Sequence, residues 1–204
     1  MDRSSSREIV HLVASLIVLT IAFTPYPSLS RETLLISAFG VGIGFMLHEL
    51  AHKFTAQKYG YVADYEASPM GLLLALGLSF VTKGNFVFAA PGAVMIRGKR
   101  ALYSPPEDRY WESLQSAKEF AYISVSGAIV NLILAVSFIT ASFFVMPSGL
   151  AYEVLSRGAF INVFLAGFNM IPFGPLDGAK VWRYNPVLWA MIGIPAIVLF
   201  FILQ

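Results

Sequence analysis

The chain has no cysteine. That excludes disulfides and every thiolate metal site, so a bound metal must be held by His, Asp or Glu. The redox compartment stays open. Charge is scarce as well: Asp, Glu, Lys and Arg make up 13% of the 204 residues, against about 25% in an ordinary soluble domain. A net charge of +2 gives no argument for a nucleic-acid partner. No polar block is long enough for a second domain, so a single unit over 1–204 is expected. Hydrophobic residues make up 57% of the chain. The expected fold class is an α-helical multi-span membrane protein. It should have five to six transmembrane helices and a small strand-like or re-entrant segment, with the lipid bilayer as its surroundings.

Histidine is the third scarce residue, with three in the chain. Two of them fall in His48-Glu49-Leu50-Ala51-His52, inside an apolar run from about Thr33 to Tyr59. Positions i and i+4 share a helix face. His48 and His52 can therefore face one metal ion, with Glu49 beside them. This H-E-x-x-H spacing is that of a zinc hydrolase, in which two imidazoles bind Zn²⁺ and the Glu takes a proton from water. Ionisable side chains in so apolar a segment are costly, which makes a functional reading the default.

Around this segment the chain reads as a series of apolar stretches. Ile9 to about Phe23 is a short first span with Arg3 and Arg7 ahead of it, and with no clean cleavage site before Pro25 it reads as an uncleaved anchor. His11 stands alone near its start as an interfacial histidine. Gly40, Gly42 and Gly44 precede the motif and would let a neighbouring helix come close. Tyr61 to Ala67 alternates like a strand. Met70 to Val81 is apolar but too short for an ordinary span. Phe86 to Ile96 is aromatic and β-branched around Pro91-Gly92, and reads as a bent strand or re-entrant loop lining a wet cavity. Arg97 to Lys118 is polar, a loop or short surface helix. Further spans are expected over about Phe120–Val145, Ala151–Ile171 and Pro186–Leu203. Lys and Arg cluster before the first span, between the second span and Phe120, and before the last. This predicts a cytoplasmic N-terminus, and five crossings if the segment 61–96 enters and leaves on the cytoplasmic side.

A hydrolytic zinc needs three protein ligands and an open position. Asp177 is the best candidate for the third, because it follows a membrane segment on the side where His52 should lie. The alternative is that Asp177 only caps a helix after the Pro172-Phe173-Gly174-Pro175 turn.

His48-Glu49-Leu50-Ala51-His52, Gly127-x-x-x-Asn131 and Asn169-x-x-Pro172 followed by Leu176-Asp177-Gly178 together resemble the three signatures of the site-2 protease family of intramembrane zinc metalloproteases. The likeness covers about residues 33–184 and is closest to compact archaeal and bacterial members. It implies one Zn²⁺ per chain, with His48, His52 and Asp177 as ligands and Glu49 as catalytic base. It also implies Asn169 near the scissile carbonyl, Asn131 near the site, and a strand-like element around Phe86, Val87 and Phe88 that pairs with an extended substrate. The implied substrate is a transmembrane protein cut within or near the bilayer, and the implied location is the cell membrane. The PDZ or CBS domain of many relatives is not expected here.

Two other readings compete. A different membrane metalloprotease would use a Glu as third ligand. Glu153 is predicted on the wrong face for this, and Glu66 lies in a segment of uncertain fold. A metal-binding transporter or scaffold would have no need of Glu49, and no internal repeat supports it.

Overall fold

The computed structural model describes residues 3–27, 29–98 and 109–202. Among them are seven helices and one two-stranded sheet: α1 (Arg3–Phe23), α2 (Arg31–Lys58), β1 (Val62–Ala67), α3 (Pro69–Val81), β2 (Gly92–Arg97), α4 (Arg109–Ser142), α5 (Leu150–Asn169), α6 (Asp177–Tyr184) and α7 (Pro186–Ile202). Three helical segments are long and apolar enough to cross a membrane: Ser6–Phe23, Arg31–Lys58 and Gln115–Ser142. The shorter apolar helices α3 and α7 have 13 and 17 residues.

Local sequence sets the helix ends. Ser30 caps α2 through a reciprocal capping box with Thr33, which satisfies donors that the first turn leaves open. Gly60 takes a positive φ of 84° and turns the chain out of α2, a conformation open to glycine at little cost. Ser68 caps α3, with Pro69 at its first position.

The centre of the molecule is the three-helix packing of α2, α4 and α5. From Ile161 to Asn169 every residue of α5 is buried, as expected of a helix enclosed on all sides. Gly40 and Gly44 are the reason α2 can lie so close to it. A Cβ on Gly40 would stand 2.8 Å from Ile161, and one on Gly44 would stand 2.9 Å from Asn162. Gly42 faces the other way, toward Leu16. Two of the three glycines thus serve the close approach expected of them. Arg157 of α5 donates to the Phe23 carbonyl at the end of α1.

The segment after α2 folds as two antiparallel strands, with Val62 opposite Arg97 and Ala67 opposite Gly92. Glu8 of α1 fixes this sheet to the helices. Its carboxylate accepts from Lys53 Nζ at 2.5 and 2.6 Å and from the Tyr65 N–H at 3.1 Å. Two expectations need correction. The strand begins only at Gly92, so residues 85–91 approach it as irregular chain. Pro91 has no N–H to give a ladder, which is why the regular pairing starts after it. The stretch from Arg109 to Lys118, expected as loop or surface helix, is the first part of the 34-residue α4. Residues 99–108 lie outside the described residues.

Candidate metal centre

His48 and His52 sit one turn apart on α2, with ring centroids 4.6 Å apart and planes at 84°. Their Nε2 atoms are 3.0 Å from each other. Asp177, the first residue of α6, places Oδ2 at 2.9 Å from His52 Nε2 and 3.5 Å from His48 Nε2. The three ligand atoms all lie within 4.8 Å of one another, and they form the one such cluster found among the described residues. The cap of α6 is Leu176, and no side chain makes a capping bond there. The capping alternative for Asp177 therefore falls.

The far side of each ring decides what the near side can do. His52 Nδ1 is 2.7 Å from the Ile123 carbonyl. A carbonyl can only accept, so Nδ1 carries the proton, and in the neutral ring Nε2 keeps a bare lone pair. His48 Nδ1 is 2.5 Å from Asn131 Oδ1, while Asn131 Nδ2 donates to the Gly44 carbonyl at 3.0 Å. His48 Nε2 is therefore also bare. With both rings neutral, two imidazole lone pairs and a carboxylate oxygen converge with no proton between them. That arrangement repels itself unless a cation lies among them, and an N, N, O donor set is of the kind Zn²⁺ binds. On this test the residues fit zinc.

Gly127 makes the arrangement possible. A Cβ there would stand 2.6 Å from both His48 Cε1 and His52 Nε2. Gly127→Ala is expected to displace the imidazoles, costing about 1–3 kcal/mol of packing and lowering zinc content. Unchanged zinc binding by the variant, measured by competition with a chelator, would count against this role.

Glu49 is buried beside His48, and its Oε2 has no hydrogen-bond partner. Such an orphaned carboxylate oxygen is costly unless something reaches it in function. A cavity of about 890 Å³ adjoins it. His48, Glu49, His52, Asn169 and Asp177 line one part of it, and Gly92 to Ile96 of β2 line another. Because consecutive residues of β2 border the cavity, the strand presents its edge there. The bond from Ser68 N–H to Pro91 C=O, 2.8 Å, sets the phase of the ladder. Bonded and non-bonded pairs alternate, so Ala93, Met95 and Arg97 exchange bonds with β1. The N–H and C=O groups of Gly92, Val94 and Ile96 point to the opposite edge.

The remaining candidates separate. Asn169 lines the cavity while its Nδ2 donates to the Leu165 carbonyl at 2.9 Å. Asn131 is fully buried behind His48 and does not border the cavity. Phe88 borders it, with its ring 5.4 Å from that of Phe168. Val87 points into the core, and Phe86 packs on Phe168 from outside the cavity. His11 lies on α1, away from the ligands. Two contributors escaped sequence reasoning. Lys180 donates to Asp177 Oδ1 at 2.9 Å, leaving Oδ2 to the histidines; its i,i+3 spacing from Asp177 was the available signal. The Ile123 carbonyl is backbone and has no signature in sequence.

Two relatives in the archaeon Methanocaldococcus jannaschii match the chain. It is 36% identical over 195 residues to the protein named "Putative zinc metalloprotease MJ0611", covering 96% of this chain and 93% of that one. It is 25% identical over 141 residues to "Zinc metalloprotease MJ0392", covering 69% of this chain but 31% of that longer protein. No family model matches the chain, and no solved structure does.

Proposed function

We propose, from the fact that the chain belongs to the site-2 protease family of zinc metalloproteases, that it hydrolyses peptide bonds of transmembrane protein substrates within or near the bilayer. One observation carries this reading: the His48, His52 and Asp177 cluster, the unpartnered Glu49 carboxylate and a free strand edge all border one cavity.

A peptide bond inside a transmembrane helix is shielded by its own turns. To be cut it must be extended, and an open strand edge can hold it so through backbone bonds without demanding a sequence. The outward groups of Gly92, Val94 and Ile96 take that part. Bound zinc supplies a Lewis acid for the carbonyl and a water made acidic enough to attack near neutral pH. Glu49 takes the proton of the attacking water and returns it to the leaving amine. Asn169 donates to the carbonyl oxygen as charge develops there. The protein sits in the cell membrane with a cytoplasmic N-terminus, and α1, α2, α4, α5 and α7 cross it. The long apolar helices and the placement of Lys and Arg support this.

The test is cleavage of a single-span membrane protein by the purified, detergent-solubilised enzyme, with and without a chelator. Cutting inside the span that stops on chelation and returns with zinc is the expected result. A zinc-loaded enzyme that cuts only soluble peptides would sink the substrate reading. The strand edge has its own test. Val94→Pro removes an outward N–H and leaves the ladder to β1 intact. It should lower kcat/KM by roughly fivefold, about 1 kcal/mol for one lost hydrogen bond, at unchanged zinc content. A Val94→Pro enzyme with wild-type kcat/KM would place the substrate elsewhere.

A further inference from the structure

Asn162 belongs to none of the three sequence signatures. It is fully buried on α5, wedged where Gly44 lets α2 approach. Its Nδ2 donates to the Gly158 carbonyl at 2.8 Å. Its Oδ1 accepts from Asn131 Nδ2 at 2.8 Å. Asn131 Oδ1 in turn meets His48 Nδ1.

A side-chain amide is nearly symmetric in shape but not in polarity. Half a turn exchanges its donor and its acceptor. A backbone carbonyl has no such freedom. The Gly158 oxygen therefore orients Asn162, which must put Nδ2 toward it and Oδ1 toward Asn131. Asn162 and the Gly44 carbonyl together orient Asn131, whose Nδ2 has two acceptors to satisfy. Asn131 is left with only an acceptor for His48. Reversing any amide in this chain would set donor against donor at one end and oxygen against oxygen at the other. In a buried site neither mismatch is relieved by water.

We infer that Asn162 is a positioning residue for the metal centre: through the amide of Asn131 it transmits the fixed polarity of the Gly158 carbonyl to His48, holding the tautomer that leaves Nε2 free for a metal. His52 obtains the same tautomer directly from the Ile123 carbonyl. The site thus has three backbone references: Ile123 on α4 in direct contact, Gly44 on α2 one amide away, and Gly158 on α5 two amides away. The inference rests on reading His48, His52 and Asp177 as a zinc site, and it adds to that reading a third helix that governs affinity without touching the ion.

The test uses two substitutions of one shape. In Asn162→Thr the hydroxyl can donate to the i−4 carbonyl of Gly158 and accept from Asn131, so the polarity survives. Asn162→Val fills nearly the same volume without the hydroxyl. A packing defect would affect both alike. Zinc affinity of the full-length protein in detergent, read by competition with a chromogenic chelator, should fall about tenfold or more in Asn162→Val relative to Asn162→Thr. Equal affinities in the two variants would overturn the inference while leaving the zinc site itself in place. Absence of zinc binding by the wild type would remove both. A measurement on the unaltered protein guards against variants that do not fold. With asparagine side chains labelled in the zinc-loaded wild type, one Nδ2 proton of Asn162 and both of Asn131 should exchange slowly with deuterated solvent. Rapid exchange of these protons would show that the relay is not formed.

Discussion

Glu49→Gln is expected to slow cleavage by about 10²–10⁴-fold, the usual worth of a positioned general base, while zinc content stays at the wild-type level. The two halves of this expectation come from different observations. Glu49 is not one of the three clustered ligands, so replacing its carboxylate by an amide of the same shape leaves the metal donors alone. It does lie in the cavity wall with Oε2 unpartnered, so that oxygen is free to take a proton that an amide cannot accept. A protein that merely carried or stored the metal would tolerate the change. The measurement is the single-turnover rate on a membrane substrate beside metal analysis of the same sample. Wild-type cleavage by the variant would move the base to another group. Glu66 is the other glutamate bordering the cavity, but one of its oxygens is engaged by Arg97 at 2.5 Å and the side chain is half-exposed.

The second large effect is expected at Asp177. Asp177→Ala removes the anionic ligand from the N, N, O set, and zinc affinity should fall by more than the ~10–100-fold that loss of a residue supporting a ligand costs. Cleavage should fall with occupancy. Asp177→Asn separates a ligand from a helix-end residue. Asparagine keeps the shape of aspartate at this first helical position, whereas its neutral amide is a poor replacement for a carboxylate on a dication. Both variants should therefore bind zinc weakly. Wild-type affinity in Asp177→Asn would show that the two histidines hold the ion without this carboxylate. Lys180 sharpens the comparison, since it already holds one Asp177 oxygen and can hold the amide oxygen of Asp177→Asn in the same way.

Much of the site is legible in the amino-acid sequence, for a local reason. His48, Glu49 and His52 lie within five residues, and the pitch of one helix places them together. A strand over 61–67 is likewise legible in its alternation, and Gly40 and Gly44 in the rule that small residues admit a neighbouring helix. The number of crossings is not legible in this way. Hydropathy finds apolar segments, and three are long enough to cross; the stretch expected as a span over about 151–171 folds as α5, with Glu153 and Arg157 in its first half and complete burial from Ile161 onward.

By itself the sequence determined the chemistry on offer: no thiolate, two histidines at helical spacing, a glutamate between them, and one aspartate placed to join them. Tertiary structure alone decided what the more distant residues do. Asn131 could have faced a substrate or a histidine, and the packing of α4 against α2 turned it to His48. Of Phe86, Val87 and Phe88, only Phe88 reaches the cavity, because Val87 is needed in the core. Asn162 and the Ile123 carbonyl gained their roles only when three helices met. The physical reason is the same in each case. A hydrogen bond is set by distances of a few tenths of an ångström and by the direction of a lone pair. Between residues far apart in the chain, those quantities exist only once the helices have packed.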